Sequence, residues 1–167
     1  MVEISEQEEK LQILNQNLSA LLDDESDWLA NLANASALIF NQLDEINWAG
    51  FYLLRDEELI LGPFQGKTAC VRISIGNGVC GTAVEERRTC RVEDVHQFPG
   101  HIACDPASQS ELVIPLFVKD EIIGVLDIDS PVKGRFTQLE QDYLEEFVDI
   151  LIENTNFGAE DCCVSRR

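Results

Sequence analysis

The sequence predicts an α+β fold, in which a central antiparallel sheet carries N-terminal and C-terminal helices packed on one face. Two hydrophobic patterns with helical spacing open the chain, strand-like runs joined by hairpin turns occupy its middle, and one more helical pattern closes it. The 167 residues contain no internal repeat and no long linker. We therefore expect a single domain over residues 1–167, with about residues 157–167 as a mobile tail.

The helices are predicted from their start signals and from the spacing of their apolar residues. Ser5 and Glu8 have the spacing of a capping box, and leucines at helical intervals follow them. A second helix is expected from about residue 26 to residue 41, after an acidic cluster interrupts the first. Thr137 and Glu140 repeat the capping-box pattern before the last helix. The apolar stripes indicate core packing and not a cofactor site.

The first strands are predicted from the change of hydrophobic period after residue 46. INWAGFYLL and EELILGPF indicate two strands joined by a turn at Asp56 and Glu57, and VRISI indicates a third. The run GNGVCGTAVEERR then predicts a glycine-shaped loop that continues into a short helix.

The second half of the sheet is predicted from three further segments. TCRVEDV indicates a short strand, and HQFPGHIACDPASQS indicates a loop of a length that is more often functional than idle. SELVIPLFV and EIIGVLDID predict a closing hairpin with its turn at Lys119 and Asp120.

The charge of the chain excludes some classes of partner. Twelve basic residues against 31 acidic ones give a formal charge of -19, which argues against binding to nucleic acid or to an anionic membrane. The N-terminal stretch MVEISEQEEK lacks the basic and apolar regions of a secretory signal, and no segment is apolar enough to span a bilayer. We therefore expect a cytoplasmic protein whose cysteines are kept reduced.

The spacing of the cysteines argues against a metal site. The chain has six cysteines: Cys70, Cys80, Cys90, Cys104, Cys162 and Cys163. None of them belongs to a C-x-x-C pair, and the first three are separated by nine residues each, so we predict no zinc site. The adjacent pair near the C-terminus is interpreted as incidental to catalysis.

Two cysteines lie beside turn-forming residues. Cys104 follows a Pro-Gly turn and precedes Asp-Pro in GHIACDP, so we interpret it as a reactive thiol and not as a buried core cysteine. Cys80 lies in GNGVCGTA at the start of a predicted helix, whose dipole favours a thiolate, although the glycines are equally explained by a tight turn alone. These glycines match neither of the common nucleotide-binding loops.

Three carboxylates occur in otherwise apolar strand patterns. Asp127 and Asp129 are two residues apart in VLDIDS, so their side chains point to one face of a strand, and Glu111 opens the strand predicted to pair with it. Burial and mutual repulsion raise the pKa of at least one such group. A neutral carboxyl group donates a hydrogen bond and suits the protonation of a weakly basic oxygen. The alternative is a solvated sheet edge.

Several segments together resemble one known family. They are INWAGFYLL, LGPFQGKTACVRI, GNGVCGTA, VHQFPGHIACDPASQSELVIPL and GVLDIDSP. They closely resemble the free methionine-R-sulfoxide reductases, which are single-domain enzymes with the GAF fold. The resemblance runs from about Ile46 to Phe136, and it is specific because the three-cysteine spacing, FPGHIACD and the DID carboxylates occur together. It therefore implies a GAF-like fold for this chain.

The resemblance implies reduction of free L-methionine-R-sulfoxide to L-methionine, without a metal or an organic cofactor. It implies that Cys104 is the nucleophile and that Cys80 and Cys70 are resolving thiols. A thioredoxin-like dithiol would be the reductant, and a homodimer is expected. Cys90 does not belong to the family pattern, so the order of disulfide formation stays open.

The same resemblance assigns the binding residues. Glu111, Asp127 and Asp129 match the carboxylates that hold the sulfoxide and the substrate amine. Trp48 and Tyr52 match aromatic residues that wall the methyl end of the pocket.

A mechanism is consistent with these assignments. A neutral carboxyl group protonates the sulfoxide oxygen, the Cys104 thiolate attacks sulfur, and methionine leaves a sulfenic acid behind. Cys80 or Cys70 then forms a disulfide, which an external dithiol reduces. Nearby anions raise the pKa of a thiol, so either some of the carboxyl groups are neutral or proton transfer is coupled to substrate binding.

Two other function classes fit parts of the sequence. The first is a GAF-type sensor that binds a small ligand without converting it, because a fold alone does not fix a function. The second is a thiol redox switch, in which cysteine oxidation alters an interaction and no substrate is consumed. Steady turnover of methionine-R-sulfoxide with a dithiol would exclude both.

Overall fold

The computed structural model describes residues 4–100 and 105–158. Its elements in chain order are α1 (Glu6–Leu22), α2 (Trp28–Gln42), β1 (Trp48–Arg55), β2 (Glu58–Gly66), β3 (Arg72–Ser74), α3 (Gly78–Glu86), β4 (Cys90–Val92), a 3-10 turn (Val95–Gln97), β5 (Ser110–Val118), β6 (Glu121–Ser130) and α4 (Gln138–Glu153). The predicted order of helices and strands is therefore confirmed. The predictions for Cys104, Cys162 and Cys163 fall on residues outside the described part.

The six strands form one antiparallel sheet in the order β3-β2-β1-β6-β5-β4. Both predicted hairpin turns are present, at Asp56 and Glu57 between β1 and β2 and at Lys119 and Asp120 between β5 and β6. All four residues have positive φ, as two-residue turns that match the strand twist require. The α+β class is confirmed.

The two faces of the sheet carry different layers. Helices α1, α2 and α4 cover one face with a large apolar core that includes Leu18, Ile39 and Phe147, each fully buried. Helix α3 packs on the other face, where a smaller cluster contains Trp48, Tyr52, Cys80 and further residues of β1, β2, β3, β4, β5 and β6. The terminal helices thus share one face as predicted, and the opposite face is left for a pocket.

The helix starts show which predicted caps form. Thr137 and Glu140 make the complete reciprocal capping box at α4. At α1 the Ser5 side chain accepts from the backbone N–H of Glu8, but the Glu8 carboxylate accepts a hydrogen bond from the Tyr143 hydroxyl. The N-cap is confirmed, while Glu8 ties α1 to α4 and does not complete a box.

The end of the described chain is held to the domain. The Asn156 backbone N–H donates to the Ser26 carbonyl at 2.9 Å, and Phe157 packs against the helical core. The predicted tail from about residue 157 therefore begins with a packed residue, and residues 159–167 lie outside the described part. Within residues 4–100 and 105–158, no helix has both the length and the apolar character needed to cross a membrane.

Candidate active site

Three carboxylates converge on the α3 face of the sheet. Asp127 and Asp129 alternate along β6 and so share a face, as predicted. In the sheet register Asp129 lies directly opposite Glu111 of β5 on one side and opposite Trp48 of β1 on the other. The antiparallel register therefore brings an acidic cluster and an aromatic side chain together at one end of the central strands.

Two of these carboxylates are buried and the third, Asp129, is half-buried, and this changes their pKa values. Glu111 is 7% exposed and Asp127 is 6% exposed, and the Oδ1 atom of Asp127 is buried without a hydrogen-bond partner. Burial raises the pKa of Asp127 to about 7. Burial, reinforced by the charge of Asp127, raises the pKa of Glu111 and of Asp129 well above the usual range. The pocket therefore favours the neutral, protonated forms of these carboxyl groups.

Cys80 adjoins the carboxylate cluster from α3. Its Sγ donates to Oε1 of Glu111 at 3.9 Å, and the side chain is 3% exposed. Burial, followed by the charges of Asp127 and Glu111, raises the pKa of the thiol well above its usual value. The environment keeps Cys80 as a neutral thiol, contrary to the thiolate that its position near a helix start suggested.

The thiol and two of the carboxylates also form a set that could hold a metal ion. One ligand atom each from Cys80, Glu111 and Asp127 lies within 4.8 Å of the other two. A thiol with two carboxylates is a donor set that zinc accepts. The sequence-based expectation of a metal-free site remains a prediction.

The aromatic wall is built on β1 and β2. The Trp48 ring stacks on Tyr52 with 5.8 Å between centroids and on Phe64 with 5.2 Å. Gly50 lies between Trp48 and Tyr52 on the same strand, and a Cβ at this position would lie 2.3 Å from Cβ of Phe64. Only glycine at position 50 leaves room for the stacked rings of Trp48 and Phe64.

Both aromatic side chains also hold the loop that precedes β3. Trp48 Nε1 donates to the Lys67 carbonyl at 3.1 Å, and the Tyr52 hydroxyl donates to the Cys70 carbonyl at 3.0 Å. Burial and then the charge of Asp127 raise the pKa of Tyr52, so its hydroxyl stays a donor. The pocket wall and the Cys70 backbone are thus one hydrogen-bonded unit.

The cysteines of the described chain are in different states. Cys70 is disulfide-bonded. Neither Cys80 nor Cys90 is its partner, because both of these thiols are free. Cys90 is buried in β4, and it does not belong to the pocket lining.

The segment that follows Cys104 in the sequence also contributes to the pocket. Asp105 and Ser108 line the pocket, and the Asn47 side chain donates to Oδ2 of Asp105 at 3.3 Å and to Oγ of Ser108 at 3.1 Å. Lys67 Nζ lies 3.4 Å from Oδ2 of Asp105. The backbone N–H of Ala107, together with Lys67, lowers the pKa of Asp105. This carboxylate is therefore ionised and fixed.

The pocket unites most of the predicted residues and adds others. Five of the predicted residues line it: Trp48, Tyr52, Glu111, Asp127 and Asp129. Cys80 lines it as well, Cys70 is joined to it through Tyr52, and Cys104 lies outside the described residues. Sequence analysis missed Asn47, Asn77, Asp105 and Ser108. The Asp-Pro step after Cys104 signalled a turn, but nothing local indicated that Asn47 would reach it.

Comparison with known proteins identifies the family of this chain. The GAF domain family model matches residues 30–151. The free methionine-R-sulfoxide reductase of Escherichia coli (strain K12) is 61% identical over 135 residues, which cover 81% of this chain and 82% of that protein. The chain belongs to the GAF-domain family of free methionine-R-sulfoxide reductases.

Solved structures of this reductase family share the whole architecture. The reduced form of fRMsr of Staphylococcus aureus has a TM-score of 0.85 and 56% identity, and the match covers 86% of this chain and 94% of that chain. The Neisseria meningitidis free methionine-R-sulfoxide reductase, solved in complex with its substrate, has a TM-score of 0.86 and 40% identity over 92% of this chain and 93% of that chain. The resemblance inferred from the sequence is confirmed.

Proposed function

We propose that this protein reduces free L-methionine-R-sulfoxide to L-methionine with electrons from cysteine thiols. One observation carries the proposal: the buried Glu111 and Asp127 and the half-buried Asp129, all with raised pKa values, share a small pocket with stacked aromatic rings. The pocket lies between the segments that lead to Cys70 and from Cys104. Such a pocket can protonate a sulfoxide, hold an ammonium group and receive an apolar methyl group. The relatives named above act on this substrate.

The carboxylates divide between two tasks in the proposal. The substrate ammonium carries one positive charge, which one ionised carboxylate of the cluster neutralises. Burial favours the protonated form of the remaining carboxyl groups, and one of them donates a proton to the sulfoxide oxygen. Protonation makes the sulfoxide sulfur electrophilic. The Trp48 and Tyr52 rings receive the methyl end of the substrate.

Cys104 is the proposed nucleophile. Its sequence neighbour Asp105 lines the pocket together with Asp127 and Asp129, which supports a position of the thiol next to the substrate. The thiolate donates two electrons to the substrate sulfur, the protonated sulfoxide oxygen is transferred to Cys104 as the hydroxyl group of a sulfenic acid, and methionine leaves. Because burial favours the neutral form of these carboxyl groups, they raise the pKa of the Cys104 thiol less than three ionised carboxylates would.

Cys70 is proposed as the first resolving thiol and Cys80 as the second. Cys70 is disulfide-bonded, while Cys80 and Cys90 are free thiols. We propose Cys104 as the partner of Cys70, because the sulfenic acid of the mechanism forms on Cys104. In that step the Cys70 thiolate attacks the sulfenic sulfur and the disulfide forms, while the leaving hydroxide takes up a proton to become water. A thioredoxin-like dithiol then reduces the disulfide by exchange and is itself oxidised. The neutral, buried Cys80 is less suited to the first step.

The test is turnover with defined substrates. Purified protein with dithiothreitol should convert free R-methionine sulfoxide and leave the free S form and peptide-bound methionine sulfoxide largely unconverted. Binding of the R form without conversion would favour a sensor. Oxidation of thiols with no methionine formed would favour a redox switch. In the same assay a chelator should leave the rate unchanged, since the proposed chemistry needs no metal.

We also propose that the protein works as a cytoplasmic homodimer, as its family resemblance implies. Sedimentation at several protein concentrations tests this. A monomer at all concentrations would contradict it.

A further inference from the structure

Side chains of the kinds that bind metal ions meet in the pocket from three different elements. Cys80 lies on α3, Glu111 on β5 and Asp127 on β6, and all three line the pocket. In the sheet register Glu111 is opposite Asp129, so Asp127, two residues away on the same face, is its diagonal neighbour. The fold therefore brings a thiol and two carboxylates together, which the spacing of the cysteines along the chain does not indicate.

The distances between their ligand atoms are close to those of a zinc site. One such atom from each of the three residues lies within 4.8 Å of the other two, and Cys80 Sγ is 3.9 Å from Glu111 Oε1. Zinc binds sulfur at about 2.3 Å and carboxylate oxygen at about 2.0 Å, which places two ligands of a tetrahedral site about 3.5 Å apart. Small rotations of these side chains bring the ligand atoms to that separation.

An independent feature of Asp127 indicates a positively charged ligand at the same place. Its Oδ1 atom is buried without a hydrogen-bond partner, and the side chain is 6% exposed. A buried carboxylate oxygen is costly for the fold unless a ligand satisfies it. The described residues that line the pocket include no lysine or arginine, so none of these side chains takes the place of a cation. A bound metal ion would satisfy the orphaned oxygen.

Two glycines hold the sulfur ligand beside the carboxylates. Gly78 has a φ of +62°, which an L side chain rarely adopts, and it lets the chain turn sharply into α3. At Gly81 a Cβ would lie 2.4 Å from the Ser74 carbonyl oxygen, so only glycine lets this turn lie so close to β3. Cys80 lies between these two glycines and is fixed against the sheet.

The donor set selects zinc among the common divalent ions. Magnesium and calcium prefer oxygen ligands throughout, whereas zinc accepts thiolate and carboxylate together. A metal ion displaces the proton of a thiol that coordinates it, so a neutral Cys80 makes zinc compete with protons but does not prevent binding. Three protein ligands leave one position of a tetrahedral ion open.

We propose that Zn²⁺ binds Cys80, Glu111 and Asp127 and thereby inhibits the reductase. In the proposed function Glu111 and Asp127 hold the substrate, so zinc and free methionine-R-sulfoxide exclude each other. The ion takes no part in the reaction, and the expectation of metal-free chemistry is unaffected. The inhibition rests on the proposed function, whereas the binding of zinc does not.

Binding is measured without turnover. Reduced protein, freed of reductant, is titrated with zinc sulfate in competition with a chromophoric chelator, and separately with cobalt(II) chloride, whose thiolate complexes absorb in the near ultraviolet. We expect a pocket site for one ion per chain. Cys80→Ala should remove the cobalt–thiolate band of this site, and both Cys80→Ala and Asp127→Asn should weaken zinc binding about tenfold or more, since even loss of an outer-shell partner costs a metal site that much.

Matched variants separate this site from other thiols and from the charge of the pocket. The double variant Cys162→Ser, Cys163→Ser removes the adjacent thiols near the C-terminus and should keep the pocket site. Asp105→Asn removes a carboxylate from the same pocket, but Lys67 and the Ala107 N–H already hold that carboxylate, so zinc affinity should stay near that of the parent.

Two results would overturn the zinc site. One is an equal loss of affinity in Asp105→Asn and Asp127→Asn, which would indicate attraction by charge alone. The other is zinc binding that disappears when only Cys162 and Cys163 are replaced, or that is unchanged in Cys80→Ala.

Inhibition is measured in a single turnover, because dithiothreitol itself binds zinc. Reduced protein without reductant is mixed with free R-methionine sulfoxide, with and without zinc, and the methionine released is counted. We expect release to slow in proportion to the fraction of protein that holds zinc, less so at higher substrate concentration, and to recover when a chelator is added.

The two measurements distinguish failure of this inference from failure of the proposed function. Normal turnover without zinc binding, or with zinc bound and release unchanged, would overturn the inference alone. Zinc binding that depends on Cys80 and Asp127 in a protein that forms no methionine would support the metal site and overturn the proposed function.

Discussion

Glu111 and Asp129 lie directly opposite each other on β5 and β6, on the pocket face of the sheet. Like charges in such a cross-strand pair destabilise a sheet. The structure tolerates the pair because burial and the neighbouring Asp127 raise both pKa values and keep protons in the cluster. The property that makes the site costly for folding is the one that supplies a proton donor at neutral pH.

The first prediction concerns proton donation. We expect Asp127→Asn to lower kcat for free R-methionine sulfoxide by about 100-fold or more, the usual contribution of general acid catalysis. In the parent, activity should fall as the pH rises through about 7, where Asp127 loses its proton. Initial rates from pH 5.5 to 9 measure this, and the apparent value belongs to the coupled cluster. A flat profile over that range would contradict the role.

The second prediction concerns stability and follows from the same pKa. Asp127 has a pKa of about 7 in the folded protein against 3.8 for a solvent-exposed aspartate, as in the unfolded chain, so the folded state binds more protons between these values. The contribution of Asp127 is therefore fully favourable below pH 4 and is lost as the pH rises towards 7. We expect Asp127→Asn to gain stability over the parent across this window, on the order of 1.4 kcal/mol per pH unit at most.

Urea unfolding of the parent and of Asp127→Asn at pH 5 and at pH 8 measures this difference. Comparison of the two proteins at each pH removes the opposite contributions of Asp94 and Asp105, whose pKa values are lowered. The same stability difference at both pH values would show that Asp127 is not protonated by the fold.

The third prediction concerns the cysteines. Cys104→Ser should abolish turnover, whereas Cys70→Ser should release about one methionine per protein and then stall with a sulfenic acid on Cys104. Cys80→Ser should keep more steady-state activity than Cys70→Ser, because Cys80 is free and buried while Cys70 is the disulfide-bonded residue. Quenched-flow methionine yields and trapping with dimedone measure this. Cys90→Ser, outside the pocket lining, is the control.

The fourth prediction concerns Tyr52, whose hydroxyl holds the Cys70 carbonyl at 3.0 Å. Tyr52→Phe keeps the aromatic wall and removes this hydrogen bond. We expect the first release of methionine to stay near the parent rate, while disulfide formation slows by about three- to tenfold, as loss of about 1 kcal/mol implies. Stopped-flow measurement of the two phases separates the effects. Equal slowing of both would indicate a role in substrate binding instead.

Local patterns in the sequence predicted a large part of the structure. The hairpin turns follow from Asp56 and Glu57 and from Lys119 and Asp120, which adopt the positive φ that such turns need. The shared face of Asp127 and Asp129 follows from the period of a strand. The α4 cap at Thr137 follows from its spacing to Glu140. Each of these depends on residues within a few positions of one another.

The contacts that complete the site join distant segments. Asn47 meets Asp105 across 58 residues, and the register of β5 and β6 alone sets Asp129 opposite Glu111. The state of Cys80 also depends on the assembled fold, because burial beside two carboxylates opposes the effect of the helix start and raises the pKa of the thiol. Desolvation and cross-strand neighbours depend on the assembled fold, so local sequence patterns do not predict them.

The sequence by itself determined the fold class, the family and the residue types of the site, because propensity, turn chemistry and strand alternation act over short stretches of chain. Only the tertiary structure decided how far burial raises the pKa values of the acidic cluster, that Cys70 and not Cys80 is disulfide-bonded, and that the start of α3 faces the pocket. These properties depend on burial and on distances between segments far apart in the chain, and both are created by packing.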